Sequence, residues 1–239
     1  MTVLESILSD LPDYFIFFAG GFSIIFSIGQ LLVTPRKLAN WNLAALFFCL
    51  GVVLWQTGLI TAGAAFRVPL ALAFHVTLMF LLTPLLFFAY HLVILPEEAL
   101  PDRKALLLLP TACAAAADAV YLVIGHDERM HLLKDLFIEG APHVIFVKLL
   151  FAGAAVQITA YLGFLYVRLR GLGKVEGHMG ILNVTMAYIV LSILTVCLMA
   201  AGYLVSSAAV LRAGAIMASA ELVGAYLAGQ RYPRFMQVL

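Results

Sequence analysis

Seven apolar runs, at about 14–33, 42–62, 70–95, 105–124, 144–166, 181–205 and 211–229, are each long enough for a membrane helix of about 20 residues. In lipid a backbone has to satisfy its own N–H and C=O groups, and a continuous apolar run of this length does so as a helix. The expected fold is therefore all-α: a polytopic membrane protein with a seven-helix bundle over residues 1–230 and the start of a connector over 231–239. Composition agrees, with 64% hydrophobic and 11% charged residues, where soluble domains carry about 25% charged.

Punctuation residues separate the runs: "TPRKLAN", "GAAFRVP", "LPEEALPDRK", "GHDERMHLLKDLFIEGAPH", "VRLRGLGKVEGHMG" and "SSAAVLRAG". The fourth and longest of these reads as a solvated loop. The breaks after runs 1, 3 and 5 and the tail hold Arg36, Lys37, Arg103, Lys104, Arg168, Arg170, Lys174, Arg231 and Arg234. The opposite side holds only Arg67, Arg129, Lys134 and Arg212. Positive charge collects on the cytoplasmic side, so the N-terminus is expected outside and the tail in the cytoplasm. The start carries Glu5, Asp10 and Asp13 without Lys or Arg. That is the wrong flank for a cleavable signal peptide, so the first run is expected to remain.

A net charge of +1 with thinly spread Lys and Arg argues against a nucleic-acid surface. Cys49, Cys113 and Cys197 fall in three separate runs and read as small packing residues.

An ionisable group in the apolar core costs about 2.5–3.5 kcal/mol on insertion scales, so each needs a partner, a wet cavity or a route to the interface. His75, Asp118, Lys148 and Glu221 are the groups to explain, with Gln56 beside them in the outer half. In the seventh run Gly214, Ala218, Glu221, Ala225 and Ala228 recur at helical spacing, so Glu221 is expected to face a neighbouring helix. Asp118 and Lys148 are candidates for an ion pair between the fourth and fifth helices, read as neighbours across the long loop. Gln157, nine residues beyond Lys148, lies on another face.

His126 and His131 are not spaced as two ligands on one helix face, no Cys lies near them, and no metal is expected. The last helix has no lysine for a retinal Schiff base, and no nucleophile and base stand at coupled spacing, so neither a cofactor nor an enzymatic activity is expected. Pro84, mid-run, is expected to bend the third helix.

"PRKLANWNLAALFFCL", "FLLTPLLFFAYHLV", "PDRKALLLLPTACAA" and "GQRYPRFMQ" together resemble the N-terminal seven-helix region of bacterial membrane-bound regulators. In that architecture the bundle precedes an AraC-type DNA-binding domain, a histidine kinase or a nucleotide cyclase. The shared features are Asn40 and Asn42 before an apolar run, Pro84, Pro110 and the terminal Arg231-Tyr232-Pro233. The resemblance implies a sensory domain of the bacterial inner membrane, surrounded by lipid and making no direct nucleic-acid contact. Its output domain would lie beyond this chain, and family analogy adds a homodimer. A small or lipid-like ligand is then expected in the outer half of the bundle near Gln56, His75, Asp118 and Glu221, with transmission through Arg231, Tyr232 and Pro233. The competing expectation is a small secondary transporter using the intramembrane carboxylates.

Overall fold

The computed structural model describes residues 3–34, 37–95, 100–101, 104–137, 141–171 and 179–231. Among these the protein is all-helical: α1 Val3–Leu32, α2 Leu38–Thr61, α3 His75–Ile94, α4 Leu109–Val123, α5 His126–Leu136, α6 Ile145–Gly171, α7 Met179–Leu204 and α8 Ala208–Arg231. Short 3₁₀ turns lead into α3, α4 and α6. All but α5 are long and apolar enough to cross a membrane, as the sequence predicts. α3 runs through Pro84 as a single helix.

Six of the membrane helices close into a ring in the order α1, α2, α3, α6, α7, α8, with α2 also against α8 and α3 also against α7. α4 stands outside this ring and packs on α3. One end of the bundle carries the α2–α3 and α7–α8 turns and α5. The other carries the ends of α1, α3, α6 and α8.

α1 and α2 illustrate how an apolar hairpin gains a fixed register. Asp13, Phe17, Gly20, Ser23, Ser27 and Gln30 recur at spacings of three and four, forming one stripe along α1. Each meets a partner on the antiparallel α2. Thr61 Oγ1 donates to Asp13 Oδ1 at 2.8 Å, Trp55 Nε1 to the Phe17 carbonyl at 3.1 Å, and Asn40 Nδ2 to Gln30 Oε1 at 3.3 Å. Ser23 and Ser27 donate to the Phe47 and Ala44 carbonyls, both at 2.7 Å. Between them the backbones nearly touch: a methyl on Gly51 would sit 2.8 Å from the Gly20 carbonyl oxygen. With no water to displace between helices in lipid, close packing and such polar contacts supply the association.

Arg212, at the start of α8, joins this hairpin. Its guanidinium donates to Asp13 Oδ2 at 3.0 Å and to the Thr61 carbonyl at 2.8 Å, tying α8 to α1 and α2 at the α5 end. The Asp13 side chain is 11% exposed and Arg212 34%, so removing the cation strands a mostly buried carboxylate. Arg212→Met is expected to lower stability by about 2 kcal/mol. Adding Asp13→Asn should restore part of that loss, measured as a double-mutant cycle of thermal unfolding in detergent.

The expectation of a solvated loop at 125–143 is corrected. Residues His126–Leu136 form α5, an amphipathic helix with Leu133 and Leu136 buried and His126, His131 and Lys134 exposed. Asp127 and Glu128 in its first turn and Lys134 in its last complement the helix dipole. Hydropathy alone hides such a helix because half of its residues are polar. Its leucines mark the buried face.

Candidate functional site

His75, Asp118 and Glu221 divide between two cavities of the bundle. The first, about 270 Å³, lies at the α5 end. α4 contributes Asp118 and Tyr121, α5 Leu133 and Leu136, α6 Phe146, Val147, Leu150 and Phe151, and α3 and α7 the floor through His75 and Tyr203. α4 packs on the ring chiefly through α3, and the cavity lies where α4 and α5 face α6.

At its floor a hydrogen-bond chain fixes His75. Gln56 Nε2 donates to the carbonyls of Ala71 and Ala73, at 3.0 and 2.9 Å, so its amide orientation is set by two acceptors. Gln56 Oε1 therefore faces His75 Nδ1 at 2.9 Å as an acceptor, and the imidazole proton sits on Nδ1. His75 Nε2 is left as the acceptor for the Tyr203 hydroxyl at 2.8 Å. Tyr203 is fully buried and stacks on Phe151 with centroids 3.7 Å apart and planes 8° apart. Three helices, α2, α3 and α7, thus converge on one imidazole. Two residues beside this chain hold left-handed backbone conformations, Phe74 (φ 64°) and Ser206 (φ 54°), each costing about 1–2 kcal/mol for a side chain with a Cβ. Lys148 Nζ donates to Ser206 Oγ at 2.5 Å.

Asp118 is 3% exposed. Its Oδ2 accepts from both the backbone N–H and the hydroxyl of Thr77, each at 2.6 Å. Thr77 lies in the first turn of α3, where backbone N–H groups lack intrahelical partners. The carboxylate of α4 therefore caps α3 from outside, aided by the helix dipole. The expected Asp118–Lys148 pair is not formed, since the two side chains take these other partners. α4 packs chiefly on α3, and a cavity lies between α4 and α6, so adjacency in sequence across the long loop did not become an ion pair.

Glu221 lies elsewhere. It faces a central cavity of about 100 Å³ walled by α2, α3, α7 and α8. Ser192 Oγ makes a short hydrogen bond to Glu221 Oε1, Thr195 Oγ1 donates to Oε2 at 3.2 Å, and the Tyr90 hydroxyl reaches Oε1 at 3.4 Å and Ser192 Oγ at 2.7 Å. Tyr90 stands fifteen residues beyond His75 on α3, about 22 Å along that helix, while on α7 Thr195 and Tyr203 are eight residues apart, about 12 Å. Glu221 does turn toward its neighbours, in line with the small-residue stripe: Ala218 and Ala225 line the same cavity, and Gly214 packs on Met199.

Gln56 and His75 are thus brought together, Asp118 shares their cavity, and Glu221 forms a separate site. Arg231 ends α8, while Tyr232 and Pro233 lie outside the described residues. His143 pairs with Asp135 at 2.7 Å, and among the described residues no three His, Cys, Asp or Glu side chains gather around one point.

No family model, curated protein or solved structure matches this chain. The site's chemistry therefore has to be read from its own residues.

Sequence reasoning missed Tyr203, Thr77, Ser192 and Thr195. One signal was present: Ser192, Thr195, Met199 and Tyr203 are spaced by three, four and four, a face of α7 that alternates polar and apolar groups within an otherwise apolar span.

Proposed function

We propose that this chain is a membrane sensory domain that receives a single-chain, lipid-like ligand in the cavity between α4 and α6. The cavity itself carries the reading: its walls are mostly aliphatic and aromatic, with His143 among them, while its floor holds a few fixed polar groups, Asp118, His75 and Tyr203. That combination suits an apolar chain with a polar head. Asp118 Oδ1 is engaged by no described residue, so the favoured head is a hydrogen-bond donor such as an alcohol or glyceride hydroxyl. A carboxylate would meet like charge.

Transmission follows from contact. A ligand pressing on Phe151 and Tyr203 displaces the end of α7, and α7 meets α8 backbone to backbone at Gly202 and Leu211. α8 then moves toward Arg231 and whatever output domain follows, with the N-terminus outside and the tail in the cytoplasm of a bacterial inner membrane, as the positive charges favour. The ligand shifts the equilibrium only by its differential affinity for the two packings.

The test fuses a reporter output domain after Leu239 and supplies long-chain alcohols, monoacylglycerols and fatty acids of matched length. Output should respond to the first two and not to the acids, and Leu150→Trp, which fills the cavity, should hold output constant. Tyr203→Phe keeps the ring stack but loses the bond to His75. It is expected to shift the basal output while costing about 1 kcal/mol of stability. A Leu150→Trp protein that responds like wild type contradicts the assignment.

A transporter is the second reading, favoured by a carboxylate facing a central cavity. Proton-coupled flux in reconstituted vesicles, abolished by Glu221→Gln, separates it from a sensor.

A further inference from the structure

The central cavity presents one carboxylate, three hydroxyl groups bonded at it, a fourth hydroxyl on Tyr188 and no cation among the described residues, inside walls of Leu, Val, Phe, Met and Ala side chains. Ser192 and Thr195 are 3% exposed and Tyr90 7%, so the hydroxyl groups that hold the half-buried Glu221 are shielded from bulk water. All three hydroxyls spend their single protons on Glu221 or on one another, and their remaining lone pairs are acceptors. The cluster therefore holds an excess of acceptors: two carboxylate oxygens and three hydroxyl oxygens with nothing but their own protons to satisfy them. A group with three N–H donors and a positive charge supplies what is lacking. Beside the cluster, about 100 Å³ of apolar space is too small for a lipid chain. It is close to cavities that take a guest of about six heavy atoms, since an engineered cavity of about 150 Å³ holds benzene.

We infer that the central cavity is a second binding site, for a small aliphatic amine whose ammonium group pairs with Glu221 and bonds Ser192 and Thr195 while its short alkyl body lies among the α2 and α3 side chains. This site is independent of the lipid-like ligand proposed above. The two share α7, which carries Tyr203 at one and Ser192 and Thr195 at the other. An amine that draws Ser192 and Glu221 together fixes α7 against α8 at a second level, so it is positioned to bias the same movement.

The test is thermal unfolding of the purified full chain in detergent at neutral pH, with n-alkylamines of three to eight carbons against the alcohols of equal length. Short amines are expected to raise the midpoint in a saturable way, with an optimum of chain length, because a ligand that binds only the folded state stabilises it by mass action. Any rise with the alcohols, including one through the cavity at the α5 end, should not depend on Glu221. Glu221→Gln should erase the difference between amine and alcohol, and Asp118→Asn should leave it intact. If Glu221→Gln does not fold, the pair Ser192→Ala and Thr195→Val serves, and each is expected to weaken the amine response at least several-fold. Equal responses to amine and alcohol overturn the proposal, as does an amine response lost with Asp118→Asn. So does stabilisation by sodium chloride over choline chloride that needs Glu221 while the amines do nothing, which assigns the site to an inorganic cation instead. The two readings fail separately, because the amine response needs Glu221, whereas a response through the cavity at the α5 end needs Asp118 and not Glu221.

Discussion

Gly202→Ala should be the most damaging single methyl that can be added to this protein. A Cβ at Gly202 would lie 2.6 Å from the Leu211 backbone nitrogen and 2.7 Å from its Cα. Neither is the end of a flexible side chain, so α7 and α8 must separate. Overpacking of this kind costs about 1–3 kcal/mol, and the backbone partner places this case at about 3 kcal/mol. Gly21→Ala is the internal control, since a methyl there meets no atom within 4 Å. Removing a glycine from a helix interior should leave the protein unchanged or up to about 1 kcal/mol more stable. The pair is read by thermal or denaturant unfolding in one detergent. In the reporter fusion Gly202→Ala should also lose its response, because the contact that carries motion from Tyr203 to α8 is the one being pried open.

Asp118→Ala should cost nearly as much by a different route. Two hydrogen bonds from Thr77 to a nearly buried carboxylate are lost, each worth about 1.5–3 kcal/mol when one partner is charged. Some of this returns if water enters the neighbouring cavity, so about 3 kcal/mol is expected. Asp118→Asn keeps one acceptor oxygen and should lose about half as much, and Thr77→Val, which removes only the hydroxyl bond, should fall near it. The distinctive readout is local: amide exchange at Thr77 and the rest of the first turn of α3 should accelerate in Asp118→Ala while the α1–α2 hairpin stays protected. A uniform loss of protection would mean that Asp118 holds the whole bundle and not the start of α3.

The seven membrane helices were legible because length and hydropathy suffice to define a span. The stripe around Glu221 was legible as well, since small residues at helical spacing identify a packed face whatever the partner. Three things were not. α5 escaped because an eleven-residue amphipathic helix looks like a polar loop to hydropathy. The Asp118–Lys148 pair was expected from loop connectivity, yet α4 packs on α3, whose Thr77 captures Asp118 through its first-turn N–H and its hydroxyl. The site at the α5 end and the central site were read as one because Glu221 was assigned to a half of the membrane and not to a level on its neighbours. Tyr90 and His75, fifteen residues apart on α3, separate them. The polar face of α7 from Ser192 to Tyr203 was in the sequence all along, and hydroxyl groups in an apolar span were the signal to follow.

The central claim, that filling the cavity at the α5 end moves α8 through α7, is tested most directly by a distance. Phe164 on α6 and Leu227 on α8 are both exposed, each nineteen residues into its helix and so at matching depth. With Cys49, Cys113 and Cys197 replaced by alanine, spin labels at Phe164→Cys and Leu227→Cys report their separation by pulsed electron resonance in lipid nanodiscs. The account predicts a distribution that shifts when a long-chain alcohol or monoacylglycerol is added, and a fixed, unresponsive distribution in Leu150→Trp. Identical distributions with and without these probes, or a shift that survives Leu150→Trp, would contradict it.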